Sequence, residues 1–216
     1  MDQDVKGPGG AGDRPSLRAE RAAVTRRRIL AAARHRFSSD GYGATTLQAV
    51  AVEAGVAVQT VYAVYGSKAG ILRELREALV GQPEAERLYG AAIQTADPDE
   101  ALTLFARSIR VRWEAGADIV RIHAEAAASD STLRAEVRLV LSGRRQGIAR
   151  LVETLRASLV EDLDVDRAGA IVDALTLPEV YLELTGPAGW SADAYEAWLG
   201  SGLRRELLRQ SASQPS

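Results

Sequence analysis

The chain has 216 residues, enough for one medium-sized domain or two small ones, and 46% hydrophobic and 26% charged residues are ordinary for a soluble globular protein. The absence of cysteine excludes disulfides and thiolate metal sites, and the two histidines, His35 and His123, lie too far apart to suggest a zinc site. We therefore expect no metal and no cofactor.

The net charge of −2 is unevenly distributed. Residues 1–80 carry 12 Lys and Arg against 8 Asp and Glu, so +4, whereas residues 81–216 carry 15 against 21, so −6. A basic first part and an acidic remainder fit a nucleic-acid-binding head on a body that does not touch nucleic acid, although chance scatter would give a similar difference. No signal peptide and no apolar stretch of ~18 residues is present, so we expect a cytoplasmic protein without membrane contact.

The chain is predicted to begin with a disordered arm followed by a helix. Residues 1–15 are rich in Gly, Pro and Asp with almost nothing apolar, which is typical of disorder. Residues 16–39 contain neither proline nor glycine, and Ile29, Ala33 and Phe37 recur at helical spacing. The polar side of this helix is densely basic, with Arg18, Arg21, Arg26, Arg27, Arg28, Arg34 and Arg36.

Residues 45–68 are predicted to form a short helix, a tight turn at Gly55 and a second short helix, which is the layout of a helix-turn-helix DNA reader. Thr45 and Gln48 match a capping box at the start of the first of these helices. Gly55 stands where a left-handed residue would end it. Val61 is the predicted core residue of the second helix.

The rest of the chain is also predicted to be helical. Gly81 and Pro83 mark a domain boundary, and no stretch alternates with period two for long enough to predict a strand, so the expected fold is all-α. The predicted organisation is a disordered arm (1–15), a three-helix helix-turn-helix domain (16–80), a helical ligand-binding and dimerisation domain (81–210) and a disordered tail (211–216).

Breaks and apolar stripes mark the helices of the second domain. A stripe of apolar residues is interrupted at Gly116. A long helix is expected over about 132–159, with Leu141 on its inward side. The next, over about 166–184, contains Pro178, which removes one backbone hydrogen bond and is expected to kink it.

The first 75 residues contain an ordered run of matched positions that goes beyond a generic helix-turn-helix. It comprises Arg28-Ile29-Leu30-Ala31-Ala32-Ala33, Phe37, Gly41-Tyr42, Thr45-Thr46, Ala54-Gly55-Val56, Thr60-Val61-Tyr62 and Tyr65-Gly66-Ser67-Lys68. Over about residues 20–75 this run resembles the amino-terminal domain of the TetR family of transcriptional regulators. The resemblance implies a dimeric repressor whose head binds a palindromic operator on double-stranded DNA and whose carboxy-terminal domain binds a small molecule.

The resemblance carries the family's DNA contacts to eight positions: Thr46, Gln48, Val58, Gln59, Thr60, Tyr62, Tyr65 and Lys68. Gln59 would pair with a base edge, adenine being its geometric favourite, and Val58 would pack on a thymine methyl. Thr60, Tyr62 and Lys68 match positions that usually touch phosphates, which fix register without reading sequence. Gln48 has two competing roles, the cap and a base contact.

The chain departs from the family pattern in two respects. Ala57 occupies a position where Ser or Thr often caps the recognition helix. That helix carries no basic side chain, so Lys68 and the arginines of the first helix, Arg26, Arg27 and Arg28 among them, must supply most of the electrostatic attraction. A solvated helix face is the alternative interpretation of these arginines.

Four residues of the second domain are candidates for an effector pocket: Phe105, Trp113, His123 and Tyr181. Aromatic residues at helical spacing are more often core than ligand site, because burial alone favours them, and His123 fits an interior hydrogen-bonded histidine equally well. The apolar composition of this domain favours a largely apolar effector.

The last two predicted helices, about 166–184 and 191–208, are the expected dimer interface, where two helices from each subunit would form a four-helix bundle. Gly200 and Gly202 lie within the last helix, where each costs ~1 kcal/mol relative to Ala. Close helix approach at an interface would explain them, and so would an early frayed end of the helix.

Three classes of function compete to account for these patterns. A ligand-responsive repressor accounts for both halves of the chain. An enzyme is not expected, because the sequence lacks a nucleophile-base constellation, a metal cluster and a Gly-rich phosphate loop. A non-specific architectural DNA-binding protein without a ligand is the alternative, and the large apolar second half argues against it.

Overall fold

A computed structural model describes residues 17–209, and over this range the regular secondary structure is helical apart from one isolated antiparallel bridge between Leu159 and Leu208. The predicted all-α fold is confirmed. The helices are α1 (Leu17–Ser39), α2 (Leu47–Ala54), α3 (Val58–Tyr65), α4 (Lys68–Val80), α5 (Pro83–Ala92), α6 (Pro98–Ser129), α7 (Ser131–Thr154), α8 (Val165–Leu175), α9 (Pro178–Thr185) and α10 (Ala192–Leu207), with a short 3₁₀ turn at Arg156–Ser158. The predicted disordered arm (1–15) and tail (211–216) lie outside the described residues.

Helices α1 to α4 form the head, and their local signals are mostly confirmed. Gly55 adopts the left-handed conformation (φ 64°, ψ 44°) that ends α2. Val61 is fully buried, and the Ser67 hydroxyl accepts a hydrogen bond from the Gly70 N–H at the start of α4. Ala57 makes no side-chain cap on α3, as its methyl group requires.

The predicted capping box at α2 is wrong by one residue. Thr46, not Thr45, is the N-cap, and its hydroxyl accepts from the Ala49 N–H at 3.1 Å. Thr45 is buried instead, and its hydroxyl donates to the backbone oxygens of Arg36 and Gly41 at 3.1 and 2.8 Å. Gln48 is therefore one position too early to reach back to the cap.

Helix α6 is bent at Gly116, where the sequence interrupts an apolar stripe, and the bend lies between the two apolar cores of the described residues. Before it, Phe105 and Trp113 pack in the body core. After it, Ile119 and Ile122 pack with the head helices in a second core. The apolar cores therefore do not divide at residue 81, where the sequence placed the boundary, because the second segment of α6 belongs with the head. A side chain at Gly116 would collide with Ile119 and approach Leu79 of α4 to 3.2 Å.

Three predictions for the body are corrected. The expected long helix ends at Thr154, and the inward side predicted for it fails at Leu141, which is 42% exposed. Pro178 does not kink a helix over 166–184. It occupies the first turn of a new helix, α9, where its missing N–H has no partner to lose.

The last helix, α10, is capped by the Ser191 hydroxyl and packs on α6 through a fully buried stripe: Tyr195, Leu199, Leu203 and Leu207. It continues through Gly200 and Gly202 to Leu207, so an early frayed end does not explain the two glycines. Among the described residues, no single helix is long and apolar enough to cross a membrane; α2 and α3 reach the required length and composition only together, and they are bent by 111°.

Candidate nucleic-acid interface

The two short helices of the head meet at 111°, within the range of helix-turn-helix motifs. α3 is fixed from beneath by Val61, which has no exposed surface. At its end the Tyr65 hydroxyl lies 3.5 Å from the Arg26 backbone oxygen of α1, and α4 begins immediately after. One face of α3 is thus held against the core, and the opposite face is left to solvent.

The outward face of α3 presents the residues that the sequence assigned to DNA. Gln59 is exposed, and Tyr62 is 56% exposed although the neighbouring Val61 is fully buried in the core of the head. Val58 and Thr60 are half-buried on either side of Gln59. A large aromatic side chain and a bifunctional amide on one solvent face suit contacts to phosphate and to a base edge.

The start of α2, the helix that precedes α3 in the chain, adds two exposed side chains. The Thr46 hydroxyl accepts its cap hydrogen bond yet remains exposed. Gln48, freed from the capping role that Thr45 was expected to share with it, is exposed and makes no hydrogen bond within the described chain. Of its two competing roles, only the contact to DNA remains open.

Lys68 is more deeply engaged with the protein than the sequence suggested. Its ammonium group donates to the backbone oxygens of Tyr42 and Gly43 at 2.7 and 3.1 Å and lies 4.7 Å from the centre of the Tyr42 ring. Burial lowers the pKa of Lys68, an effect opposed by the nearby Glu125 carboxylate. Two of its three N–H donors thus fasten the loop after α1 to α4, and one remains for a phosphate.

The arginines of α1 divide into two groups. Arg36 pairs with Glu53 of α2 and with Asp40, and Arg34 pairs with Asp118, so neither is available to a phosphate without breaking an ion pair. The Arg28 guanidinium donates a long hydrogen bond to the Gly55 backbone oxygen, at 3.5 Å. The exposed side chains of Arg18, Arg21, Arg26 and Arg27 form no ion pair with any residue from 17 to 209.

The head is anchored on the second segment of α6 and on α7 by polar contacts as well as by its core. The Arg34 guanidinium donates to both carboxylate oxygens of Asp118, and the Asp118 hydrogen bond raises the pKa of Arg34. The Tyr42 N–H donates to Glu125 at 2.9 Å. On the other side, Arg73 of α4 donates to Glu136 of α7 at 3.1 Å.

Sequence comparison recognises the head. Residues 29–75 match the family model of bacterial regulatory proteins of the tetR family. The head is a TetR-family DNA-binding domain.

The chain as a whole also resembles several solved proteins in fold. NalD, the secondary repressor of the MexAB-OprM multidrug efflux pump in Pseudomonas aeruginosa, superposes with a TM-score of 0.66 at 23% identity, covering 89% of this chain and 100% of NalD. PfmR, a TetR family transcriptional regulator from Thermus thermophilus, gives 0.65 at 25% identity over 84% of this chain and 100% of its own. SmeT in its complex with triclosan gives 0.65 at 19% identity, covering 89% and 97%. No curated protein matches by sequence.

Behind the TetR-type head, the body brings together three of the four predicted pocket residues. Phe105, Trp113 and Tyr181 all pack in the body core, and the Trp113 ring N–H donates to the Thr176 backbone oxygen at 3.1 Å. His123 does not join them. It is buried in the second segment of α6, 3.8 Å from Glu136, at the junction between head and body.

A groove on the body lies apart from these aromatic residues. This groove of about 370 Å³ runs between α6 and α10 and is lined by charged and small side chains, Arg110, Asp193, Ala106 and Gly200 among them. Its floor is not the aromatic core that the sequence indicated. A pocket at Phe105, Trp113 and Tyr181 stays a prediction.

Sequence reasoning overlooked several residues that shape the TetR-type head. Gly70 has ordinary helical surroundings in sequence, yet a Cβ there would lie 2.0 Å from the Tyr65 backbone oxygen, so the turn from α3 to α4 admits only glycine. Arg34 lies on the basic side of the first helix, and nothing in the sequence indicates its partner 84 residues away, Asp118. The sequence does contain a signal for the different roles of Thr45 and Thr46, since two adjacent threonines leave open which of them caps α2.

Proposed function

We propose that the chain is a dimeric transcriptional repressor that binds a palindromic operator through α3 and is released from it by a small, largely apolar molecule. The observation that carries the proposal is the division of α3 between a fully buried Val61 and an exposed face with Gln59 and Tyr62. A helix held this firmly with polar groups outward is suited to enter a major groove. The family match of residues 29–75 supports the same conclusion.

The roles of the eight head residues follow from their surroundings. Gln59 and Gln48 are the base readers, since their amides are exposed and uncommitted. Tyr62, Thr60 and Thr46 position the helix on the phosphates, with Val58 packing on a thymine methyl and Tyr65 at the far end of α3. Lys68 offers its remaining donor to a phosphate.

The electrostatic attraction must come from α1. Because α3 carries no charge, Arg26 and Arg27, which form no ion pair within residues 17–209, are the main source of counterion release beside Lys68. A single head with so few phosphate contacts would bind weakly. Two heads held by one body gain affinity from their tethering, which makes dimerisation a requirement of the proposal.

Dimerisation is proposed through α8, α9 and α10, the helices that occupy the predicted stretches 166–184 and 191–208. The face of α10 turned away from its buried stripe carries small exposed side chains, Ala194, Ala197 and Ser201, which permit a partner helix to approach closely. The two-fold axis of such a dimer would match a palindromic operator, with half-sites about one helical turn apart.

Release by an apolar effector is supported by the composition of the body core and by its neighbours in fold. SmeT has been solved in a complex with triclosan, and NalD is the secondary repressor of a multidrug efflux pump. A body core rich in aliphatic and aromatic side chains suits a ligand of this kind. Such a ligand would favour one spacing of the two heads and thereby shift the equilibrium away from DNA.

The test is selection of bound fragments from a random DNA pool with the full chain, followed by sequencing. A palindromic enriched motif supports the repressor. The matched control is a Gln59→Ala/Tyr62→Ala double variant, which changes two exposed side chains and should bind more weakly and lose its preference at one base position of the motif. If the unmodified chain enriches no motif and its binding only fades with salt, the protein is an architectural DNA-binding protein.

The effector is tested on the enriched duplex with a fluorescent label. Triclosan at micromolar concentrations should lower the anisotropy of the complex as the protein dissociates. Absence of release by triclosan and by a panel of other apolar compounds would contradict the ligand-responsive part of the proposal and leave DNA recognition standing.

A further inference from the structure

The body core contains a buried hydroxyl group that has nothing to bind. Tyr195 of α10 has no exposed surface, and its hydroxyl oxygen is buried without a hydrogen-bond partner among the described residues. Leaving such a group unpaired is costly in a folded protein, so each instance calls for an explanation. Burial raises the pKa of Tyr195, so the hydroxyl keeps its proton and acts as a donor.

Arg144, whose charge acts on the Tyr195 hydroxyl, belongs to a polar network whose members are already committed to one another. Arg144 pairs with Asp173 and donates to the Thr176 hydroxyl at 2.7 Å. The Thr176 hydroxyl in turn donates to the Val172 backbone oxygen, and the Trp113 ring N–H is bound to the Thr176 backbone oxygen. The Tyr195 hydroxyl is left as the unsatisfied donor of the neighbourhood.

Aromatic rings connect this hydroxyl to the surface. The Tyr195 ring meets the edge of Tyr181 at a centroid distance of 4.9 Å and lies 5.9 Å from Trp198. Trp198 packs at 6.1 Å against Trp190, which is 37% exposed. The row of Tyr181, Tyr195, Trp198 and Trp190 therefore runs from the interior to solvent, and movement of its outer two rings would admit a flat apolar molecule.

The charge around the site favours a neutral ligand. The Arg144 guanidinium is balanced by Asp173, and Glu179 lies close enough for its charge to raise the pKa of Arg144 against the larger, lowering effect of burial. An anion would therefore find no uncompensated positive charge, and a cation would find only an arginine already paired. A neutral oxygen acceptor matches a neutral hydroxyl donor.

We propose that the Tyr195 hydroxyl is the specificity-determining donor of the body, and that it binds the carbonyl oxygen of a neutral aromatic ketone or ester whose ring packs beside Tyr181 and Tyr195. This inference rests on the proposed function, in which the body binds a small apolar effector. It adds the chemical class of that effector and the atom that selects it.

Two tyrosine variants first establish the state of the hydroxyl. Tyr195→Phe removes an unpaired polar atom and should raise the melting temperature of the free protein by roughly 2–4 °C. Tyr89→Phe is the matched control, because the Tyr89 hydroxyl donates to the Gly147 backbone oxygen at 2.9 Å, and this variant should melt lower than the unmodified protein. A fall in melting temperature for Tyr195→Phe like that for Tyr89→Phe would overturn the proposal.

Binding is then measured by calorimetry with two probes of the same shape, 2-acetylnaphthalene and 2-isopropenylnaphthalene, which differ by a carbonyl oxygen against a methylene group. The unmodified protein should bind the ketone roughly three- to ten-fold more tightly, the worth of one hydrogen bond. Tyr195→Phe should bind both probes with the affinity of the hydrocarbon, and Tyr89→Phe should keep the preference.

Three results would overturn the assignment: no binding of the ketone, equal binding of both probes by the unmodified protein, or a preference that survives in Tyr195→Phe. DNA selection separates these failures from failure of the proposed function. If the unmodified chain enriches a palindrome but shows no preference for the ketone, only this inference falls. If no motif is enriched and the ketone preference is present, the repressor proposal falls and the ligand site stands.

Discussion

The Arg34 guanidinium in α1 donates two parallel hydrogen bonds to the Asp118 carboxylate in α6, of 2.7 Å from Nε and 2.6 Å from Nη2. This is the bidentate geometry in which an arginine–carboxylate pair is strongest. It joins the first helix of the head directly to the helix that continues into the body. The side chains are 38% and 26% exposed, so solvent screens much of the attraction.

A double-mutant cycle with Arg34→Gln and Asp118→Asn should therefore give a modest coupling free energy. After allowance for solvent screening we expect about 0.5–1 kcal/mol, falling in 1 M salt. Urea unfolding of the four proteins measures it. The pair Arg156 and Glu153, exposed by 64% and 57%, serves as the control and should show no measurable coupling. An Arg34–Asp118 coupling no larger than the control would contradict its role as an anchor.

Gly70→Ala should destabilise the head because the added methyl would lie 2.0 Å from the Tyr65 backbone oxygen, and backbone cannot move aside cheaply. We expect a loss on the order of 1–3 kcal/mol in the free energy of unfolding, with a weaker affinity for DNA as α3 is displaced. Gly90→Ala in α5, with no atom within 4 Å of the new methyl, should instead stabilise by roughly 0.5–1 kcal/mol. Chemical denaturation measures both; equal behaviour of the two variants would refute the steric argument.

Gln59→Ala and Tyr62→Ala should affect DNA binding in different ways. Gln59→Ala should relax preference at one base position and cost about 1–3 kcal/mol against the selected site. Tyr62→Ala should weaken binding to selected and scrambled duplexes by the same factor, because phosphate contacts carry no sequence information. Titration of each variant with both duplexes distinguishes a loss of base preference from a uniform loss of affinity. An unchanged motif for Gln59→Ala would show that Gln59 does not contact a base edge.

His123 should make the fold less stable at mildly acidic pH. Burial lowers its pKa; Arg76 of α4 lowers it further, Glu136 of α7 opposes that and Arg73 adds a smaller lowering effect. Below the ordinary value of 6.5 the unfolded chain then binds more protons than the folded one, so stability falls as the pH drops from 6.5 through the depressed pKa, and is unaffected above 6.5.

Melting temperatures of the unmodified chain and of His123→Gln between pH 7.5 and 5.5 test this. The difference between the two proteins should shift in favour of His123→Gln as the pH falls. Parallel curves for the unmodified chain and His123→Gln would show that the junction histidine does not titrate in this window.

Local signals in the sequence predicted the head well, because each depends on a few adjacent residues. Gly55 takes the left-handed conformation that only a residue without a Cβ adopts easily, and Ser67 caps the next helix. The choice between Thr45 and Thr46 failed for a tertiary reason. Thr45 is buried against the end of α1 and bonds its backbone, which no helix-start pattern reveals.

Contacts between distant segments could not be predicted from the sequence. The assignment of Lys68 to a phosphate rests on its position in a motif and stays a prediction, whereas its bonds to Tyr42 and Gly43 cross 26 and 25 residues and leave no local signal. The proline at 178 was treated as a kink, although a proline fits the first turn of a helix as readily as it bends one. Only the space between helices distinguishes the two outcomes.

The bend at Gly116 has a consequence for how the chain can be divided. The family model ends at residue 75, but the core that stabilises that segment includes Ile119, Ile122 and Leu133. A fragment ending near residue 80 would lack one wall of its own interior and expose the apolar side of α4 to water. The unit recognised by sequence comparison is therefore smaller than the unit that folds, and grafting this DNA reader onto another protein requires carrying α6 and the start of α7 with it.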